Sequence, residues 1–180
     1  GVGSPWYATA SPFEYTHRYM NTLQLTPEQI GEASAVIRNG GLLVFPTETV
    51  YGLGASAWND EACRRIFEAK GRPADNPLIV HISGIEMLPE VVSGVPEVAT
   101  RLFAAFSPGP LTVILPRGSR IPDAVTAGLD TVGVRIPSHP VARSLLKAAG
   151  MPIAAPSANR SGFPSPTDFA TALCHMDGRA

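Results

Sequence analysis

The chain is poor in several things, and each scarcity removes a class of reading. It has two cysteines in 180 residues, Cys63 and Cys174, with no CxxC pair and no histidine-rich company. Neither a disulfide framework nor a cysteine metal site is indicated, and a reducing, cytoplasmic setting fits. Charge is almost balanced, 14 basic residues against 15 acidic ones. No general field draws in nucleic acid, so any anion site has to be a local patch. No apolar run approaches the roughly 18 residues of a membrane span. The first residues lack the charged-then-apolar layout of a signal peptide, and nothing points to a membrane role. The chain begins at Gly1 rather than Met, which reads as either a processed or an engineered end. Internal repeats, a Ser-His-Asp order, paired carboxylates and metal-ligand spacings are all missing, so no acid, base, nucleophile or metal ligand is assigned.

What is present points to one globular domain. Hydrophobic residues make up 44% and charged residues 16% of the chain, enough apolar surface to bury a full core. The 18 prolines gather at strand ends as turn punctuation. Residues 1–25 mix Pro, Gly, Ser and aromatics without a period and read as an arm on a domain spanning 26–180. A helix over 26–39 is predicted from Thr26, Pro27 and the capping-box Gln29, with Ile30, Ala33 and Ile37 on one face. The apolar run 42–45 then reads as a strand ending at Pro46. A helix over 60–70 carries Cys63, Ile66 and Phe67 inward and stops at Gly71, and "LIVHI" at 78–82 follows as a strand. Further on come a helix over 96–106 with Val98, Leu102 and Phe106 on one face, a strand over 111–115 and a strand over 131–136. A helix from Pro140 to Ala149, a short strand over 152–155 and a last helix after Ser165-Pro166 complete the pattern. Alternation of this kind predicts an α/β fold, a twisted sheet flanked by helices, with parallel and antiparallel pairs both open.

Chemistry collects at element ends, where open α/β sheets bind ligands. "PTETVYGLG", 46–54, offers the hydroxyls of Thr47 and Thr49 beside Glu48 and two glycines. It reads either as a ligand loop or as a turn whose glycines solve a geometric problem. It is not a P-loop, because it has no lysine. In "KGRPADN", Lys70 and Arg72 are either a solvated helix end or a phosphate site stiffened by Pro73 and Pro77, with Asn76 adding an amide. His81 is either a structural strand-end residue or a hydrogen-bonding group of the site. Arg135, inside an apolar strand, needs a partner if it points inward, and an incoming carboxylate would serve; the other reading is an edge-strand arginine facing water. "APSANRSGFPSPT", 155–167, gathers Ser157, Asn159, Ser161 and Ser165 before a helix and reads either as an anion loop or as a connection capped at Ser165.

"FPTETVYGLG", "KGRPADNPLIVHI", "SPGPLT", "VGVRIPSHP" and "PIAAPSANRSGFPSPT" occur in this order. Together, over about residues 26–175, they resemble the YrdC-like family of threonylcarbamoyl-AMP synthases. The resemblance implies a YrdC-like twisted mixed sheet and a nucleotidyltransferase. Such an enzyme joins L-threonine, bicarbonate and ATP into threonylcarbamoyl-adenylate and pyrophosphate, for the N6-threonylcarbamoyladenosine (t6A) modification of tRNA. It implies threonine contacts at Thr49, His81, Arg135 and the backbone of Ala155. It implies ATP contacts at Lys70, Arg72, Asn76, Thr131, Ser157 and Ser165, with Mg²⁺ arriving on the nucleotide. Transfer RNA and proteins of the t6A pathway are the implied partners. Family members continue past the Ser165–Thr167 region into a Glu-Ser-Thr-Val-like segment, and longer ones add a C-terminal domain. On that resemblance a chain ending at Ala180 reads as shortened and slow to turn over. Two other readings stay open: a related carbamoyl-transfer enzyme using carbamoyl phosphate and ATP, and an RNA-binding module of the same fold.

Overall fold

The computed structural model of the protein describes residues 6–8 and 22–180. Eight strands form one sheet in the order β2-β1-β3-β4-β8-β5-β7-β6. They are β1 (Trp6–Ala8), β2 (Leu23–Leu25), β3 (Leu43–Pro46), β4 (Tyr51–Ser56), β5 (Ile79–His81), β6 (Thr112–Pro116), β7 (Thr131–Arg135) and β8 (Ile153–Ala154). The sheet is mixed: β5 and β7 run parallel, whereas β4/β8, β5/β8 and β6/β7 are antiparallel. Among the described residues six α-helices flank it: α1 (Ile30–Arg38), α2 (Asp60–Lys70), α3 (Glu97–Phe106), α4 (Asp123–Thr126), α5 (Pro140–Ala149) and α6 (Phe169–Met176). Most of the expected arm lies outside the described residues; within it, β1 and β2 are strands of this same sheet. Among the described residues no helix is long and apolar enough to cross a membrane.

Two apolar layers explain the run at 42–45. Leu43 and Phe45 face α1 and α5, packing with Ile37, Leu145 and Ile153. Val44 faces the other way, into a core shared with Leu53, Val80, Val134, Ile66 of α2, Phe103 of α3 and Met176 of α6. A strand covered on both sides has no polar alternation to show. Local signals hold at the helix ends. The amide of Thr26 donates to Gln29 Oε1 at 3.0 Å, although the first turn, Pro27–Gln29, is 3₁₀ rather than α. Asn59 caps α2 by accepting from the amide of Ala62 at 3.0 Å. Gly71 closes that helix at φ 60°, ψ 41°, a left-handed conformation that glycine adopts without a Cβ penalty.

Three sequence expectations are corrected. Helix α3 buries Ala99 and Phe103, while Val98 and Phe106 are about two-thirds exposed (63% and 60%). Its apolar residues run nearly all the way round, so periodicity does not single out the face that packing selects. The last helix starts at Phe169 rather than after Ser165-Pro166, with Asp168 as its cap. The Asp168 carboxylate accepts from the amide of Thr171 at 2.9 Å and from its hydroxyl at 2.8 Å. A negative side chain therefore occupies the helix start that the sequence offered to an anion. Finally, 46–54 is a hairpin, not a long loop: Thr47–Val50 turns between β3 and β4, and Gly52 and Gly54 lie within β4. A Cβ on Gly54 would stand 2.7 Å from both Ile153 Cγ2 and Phe45 Cε1, so close strand packing explains that glycine.

Candidate functional site

The site is built on the β5–β7–β6 side of the sheet. On β7, residues 132 and 134 enter the core under α2 and α3, leaving Thr131, Gly133 and Arg135 on the opposite face. Register sets Arg135 beside His81 of β5 on one side and Thr112 of β6 on the other. The next row is Ile79, Gly133 and Ile114. Ile114, at the outer end of this row, is 70% exposed. Gly133 keeps the floor low, since a Cβ there would meet Thr112 Cγ2 at 3.1 Å. At 3.2–3.4 Å per residue, Thr131 lies about 13 Å along the strand from Arg135, at the opposite end of β7.

Arg135 is 8% exposed and its charge is answered from within the chain. The β3–β4 turn reaches over to it: Nη2 donates to Glu48 Oε1 at 2.7 Å and to Thr49 Oγ1 at 3.2 Å. Thr47 makes this turn rigid, its hydroxyl donating to the carbonyl of Val50 at 2.6 Å and accepting from the amides of Thr49 and Val50. The second Glu48 oxygen accepts from the amide of Ser138 at 3.1 Å, just ahead of α5. Burial works to raise the Glu48 pKa, but the Arg135 hydrogen bond, backbone amides and the guanidinium charge together hold it below the usual value. Glu48 is therefore a carboxylate at neutral pH. Sequence reasoning named it in the loop but gave it no role. The signal was available: a strand arginine turned inward asks which acid in the chain answers it.

His81 is almost fully buried, edge-on to Phe45 with ring centroids 6.1 Å apart. Burial first, and then the Arg135 charge, push its pKa down to about 4, so the ring is neutral at pH 7. Its Nδ1 and the Nε of Arg135 are buried without a hydrogen-bond partner among the described residues. Ala155 continues β8, and its amide donates to the carbonyl of Ile79 at 2.9 Å. Thr49, His81, Arg135 and Ala155 are thus gathered at one corner.

A second group forms where α2 ends. Lys70 is 3% exposed, and its Nζ donates to the carbonyls of Ser157 and, at 2.6 Å, Asn159. Burial and the neighbouring Arg72 pull its pKa down to about 8. Lys70 ties the 155–163 loop to the helix, helped by the Ser161 amide, which donates to the Lys70 carbonyl at 2.9 Å, and by Asn159 Nδ2, which donates to Phe163 O at 2.7 Å. The same loop runs along β4: Gly52 bridges Ser157, and the Tyr51 amide donates to Pro166 O at 2.8 Å. Arg72 lies 5.8 Å from the centroid of Phe67 and donates to the carbonyl of Asn76 at 3.3 Å. Ser165 and Thr131 are both exposed. Among the described residues no three of His, Cys, Asp and Glu converge as a metal cage.

Residues 35–180 match the protein family Sua5_yciO_yrdC, described as "Telomere recombination". The chain is 51% identical over 158 residues to a threonylcarbamoyl-AMP synthase of Bacillus subtilis (strain 168), covering 87% of this chain and 46% of that protein. It is 56% identical over 135 residues to a threonylcarbamoyl-AMP synthase of Pyrococcus abyssi, covering 75% and 40%. The crystal structure of P. abyssi Sua5 complexed with L-threonine superposes with a TM-score of 0.83 at 50% identity, over 86% of this chain and 46% of that one. The chain spans less than half the length of these relatives.

Proposed function

The chain belongs to the Sua5_yciO_yrdC family, and on that premise we propose that it is a nucleotidyltransferase making threonylcarbamoyl-AMP. One observation carries the proposal: a buried arginine, flanked by a neutral histidine, in the fold it shares with a relative that binds L-threonine. In this reading Arg135, His81, Thr49 and the Ala155 carbonyl hold L-threonine. Arg72, Asn76, Ser157, Ser165 and Thr131 line the ATP side, and Lys70 lends its charge while holding the Ser157 loop.

The reaction balances without an enzyme nucleophile. The threonine amine, once free of its proton, attacks the carbon supplied by bicarbonate, and water leaves to give the N-carboxylate. An oxygen of that carbamate attacks the α-phosphorus of ATP, and the bond to the β-phosphate oxygen breaks to release pyrophosphate. The chain's contribution is to align amine, carbon and phosphorus and to answer the phosphate charge with fixed cations. Mg²⁺ enters the proposal only as an ion carried by the triphosphate, because the described side chains form no cage for it. The adenylate would then serve t6A modification of tRNA in the cytoplasm, in concert with other proteins of that pathway.

Incubating the chain with L-threonine, labelled bicarbonate and ATP should yield an adenylate whose mass and label match threonylcarbamoyl-AMP, together with equimolar pyrophosphate. An adenylate formed only from carbamoyl phosphate would replace this reading with the related carbamoyl-transfer activity. No adenylate from either, with salt-dependent tRNA binding, would replace it with an RNA-binding module.

A further inference from the structure

The Arg135 guanidinium that is to meet the substrate's carboxylate already holds one, and this bears on which ligands the corner accepts. Glu48 accepts from Nη2 of Arg135, from the amide of Ser138 and from its own backbone amide, which leaves acceptor capacity on the carboxylate. Both side chains are largely buried, 10% exposed for Arg135 and 17% for Glu48. His81, the adjacent register partner, carries no charge at pH 7. The pair is therefore electrically neutral before any ligand arrives. A simple carboxylic acid entering as an anion would place a second negative charge against one guanidinium, with its desolvation unanswered. A zwitterion would not: its carboxylate takes the unpartnered Nε–H of Arg135, and its ammonium donates to the acceptor capacity that remains on the Glu48 carboxylate.

We propose that Glu48 is the ammonium-reading residue of the site, which makes the Glu48–Arg135 pair a selector for α-amino acids over the corresponding acids. The inference rests on the threonine reading above and adds the residue that recognises the amine. Glu48 gains this role from the fold, since the hairpin turn carries it across to β7 and the amide before α5 fixes its second oxygen. Held as an ion, Glu48 positions the amine without acting as its base; the proton departs to solvent as the amine attacks. Thr49, donated to by the same Nη2, keeps the guanidinium in the plane the carboxylate needs.

The test is calorimetric binding of L-threonine and of desamino-threonine, the hydroxy acid in which hydrogen replaces the amine, to the wild-type chain and to Glu48→Gln. Circular dichroism checks folding. The wild type should prefer threonine by about tenfold or more. Glu48→Gln should lose most of that preference, binding threonine about 10- to 100-fold more weakly while holding the hydroxy acid as well as before or better. Equal affinity of the wild type for the two ligands overturns the proposal without any variant. So does a Glu48→Gln chain that weakens both ligands alike, for then Glu48 only props up Arg135. A wild-type chain that binds neither ligand removes the threonine reading as well, whereas one that binds threonine but fails the comparison removes only the role of Glu48.

Discussion

His81 lies edge-on to Phe45 and beside Arg135, and its burial first, then the Arg135 charge, oppose its protonation. Its folded pKa of about 4 lies below the usual 6.5. Between those values the unfolded chain binds the proton and the folded chain does not. The resulting stability is fully present above pH 6.5 and is lost as pH falls through 4. Glu48, depressed in its turn, adds a further loss as pH falls through its own folded value. Urea unfolding across pH 4 to 6.5 should therefore show falling stability. Replacing His81 by Gln should flatten the slope by up to about 1.4 kcal/mol per pH unit, the equivalent of one proton. Identical slopes for the two chains would mean that His81 is protonated in the folded state. Lys70 also leans away from its charged form, because burial outweighs the two carbonyls that favour it.

At the scale of elements, the β3–β4 hairpin decides whether the site exists. It brings Glu48 and Thr49 to Arg135, and it docks the 155–166 loop through Tyr51, Gly52 and Leu53, whose amide donates to Pro156 O at 2.9 Å. Its fit depends on Gly54, where a methyl group would press on the Phe45 ring and on branched Ile153. Neither neighbour is the far end of a flexible chain. Gly54→Ala should consequently destabilise the protein by about 1–3 kcal/mol, more than offsetting the roughly 0.5–1 kcal/mol that removing a strand glycine otherwise returns. The unfolding midpoint in urea measures the balance; a midpoint equal to or above that of the wild type would show that the hairpin has room to shift.

At the scale of the molecule, the candidate site draws on β3, β4, β5, β7 and the loop after β8, which only the folded chain assembles. A ligand that binds there must stabilise the whole fold by mass action. L-threonine at about 100 times its Kd should add about 2.7 kcal/mol, a rise in melting temperature of roughly 5–10 °C for a chain of this size. The desamino compound at the same concentration, bound about tenfold more weakly, should add about 1.4 kcal/mol or less. A threonine-independent melting temperature would show that the folded chain does not bind L-threonine and would remove the threonine reading.

Much of this was legible locally. The ends of α1, α2 and α5 are written in adjacent residues: Thr26 with Gln29, Asn59 ahead of Asp60, Gly71, and Gly150 after Ala149. Capping and left-handed glycine are short-range effects, so the chain states them where they occur. The motifs that carry the resemblance likewise marked Thr49, His81 and Arg135, which the fold brings to one corner. Other choices depended on packing between distant segments. Whereas the Asp168 cap of α6 is a local contact with Thr171 that the sequence reading passed over in favour of Ser165, which face of α3 is buried and that Gly52 and Gly54 belong to a strand were settled by neighbours far along the chain. The same holds for the charge of Arg135. Its sequence position announced that a burying strand would need an anion, but Glu48 lies 87 residues away. Only the sheet, by running β7 parallel to β5 under the tip of the β3–β4 hairpin, brings that carboxylate within 2.7 Å. An ion pair depends on distance in space, which propensity and periodicity along the chain do not encode.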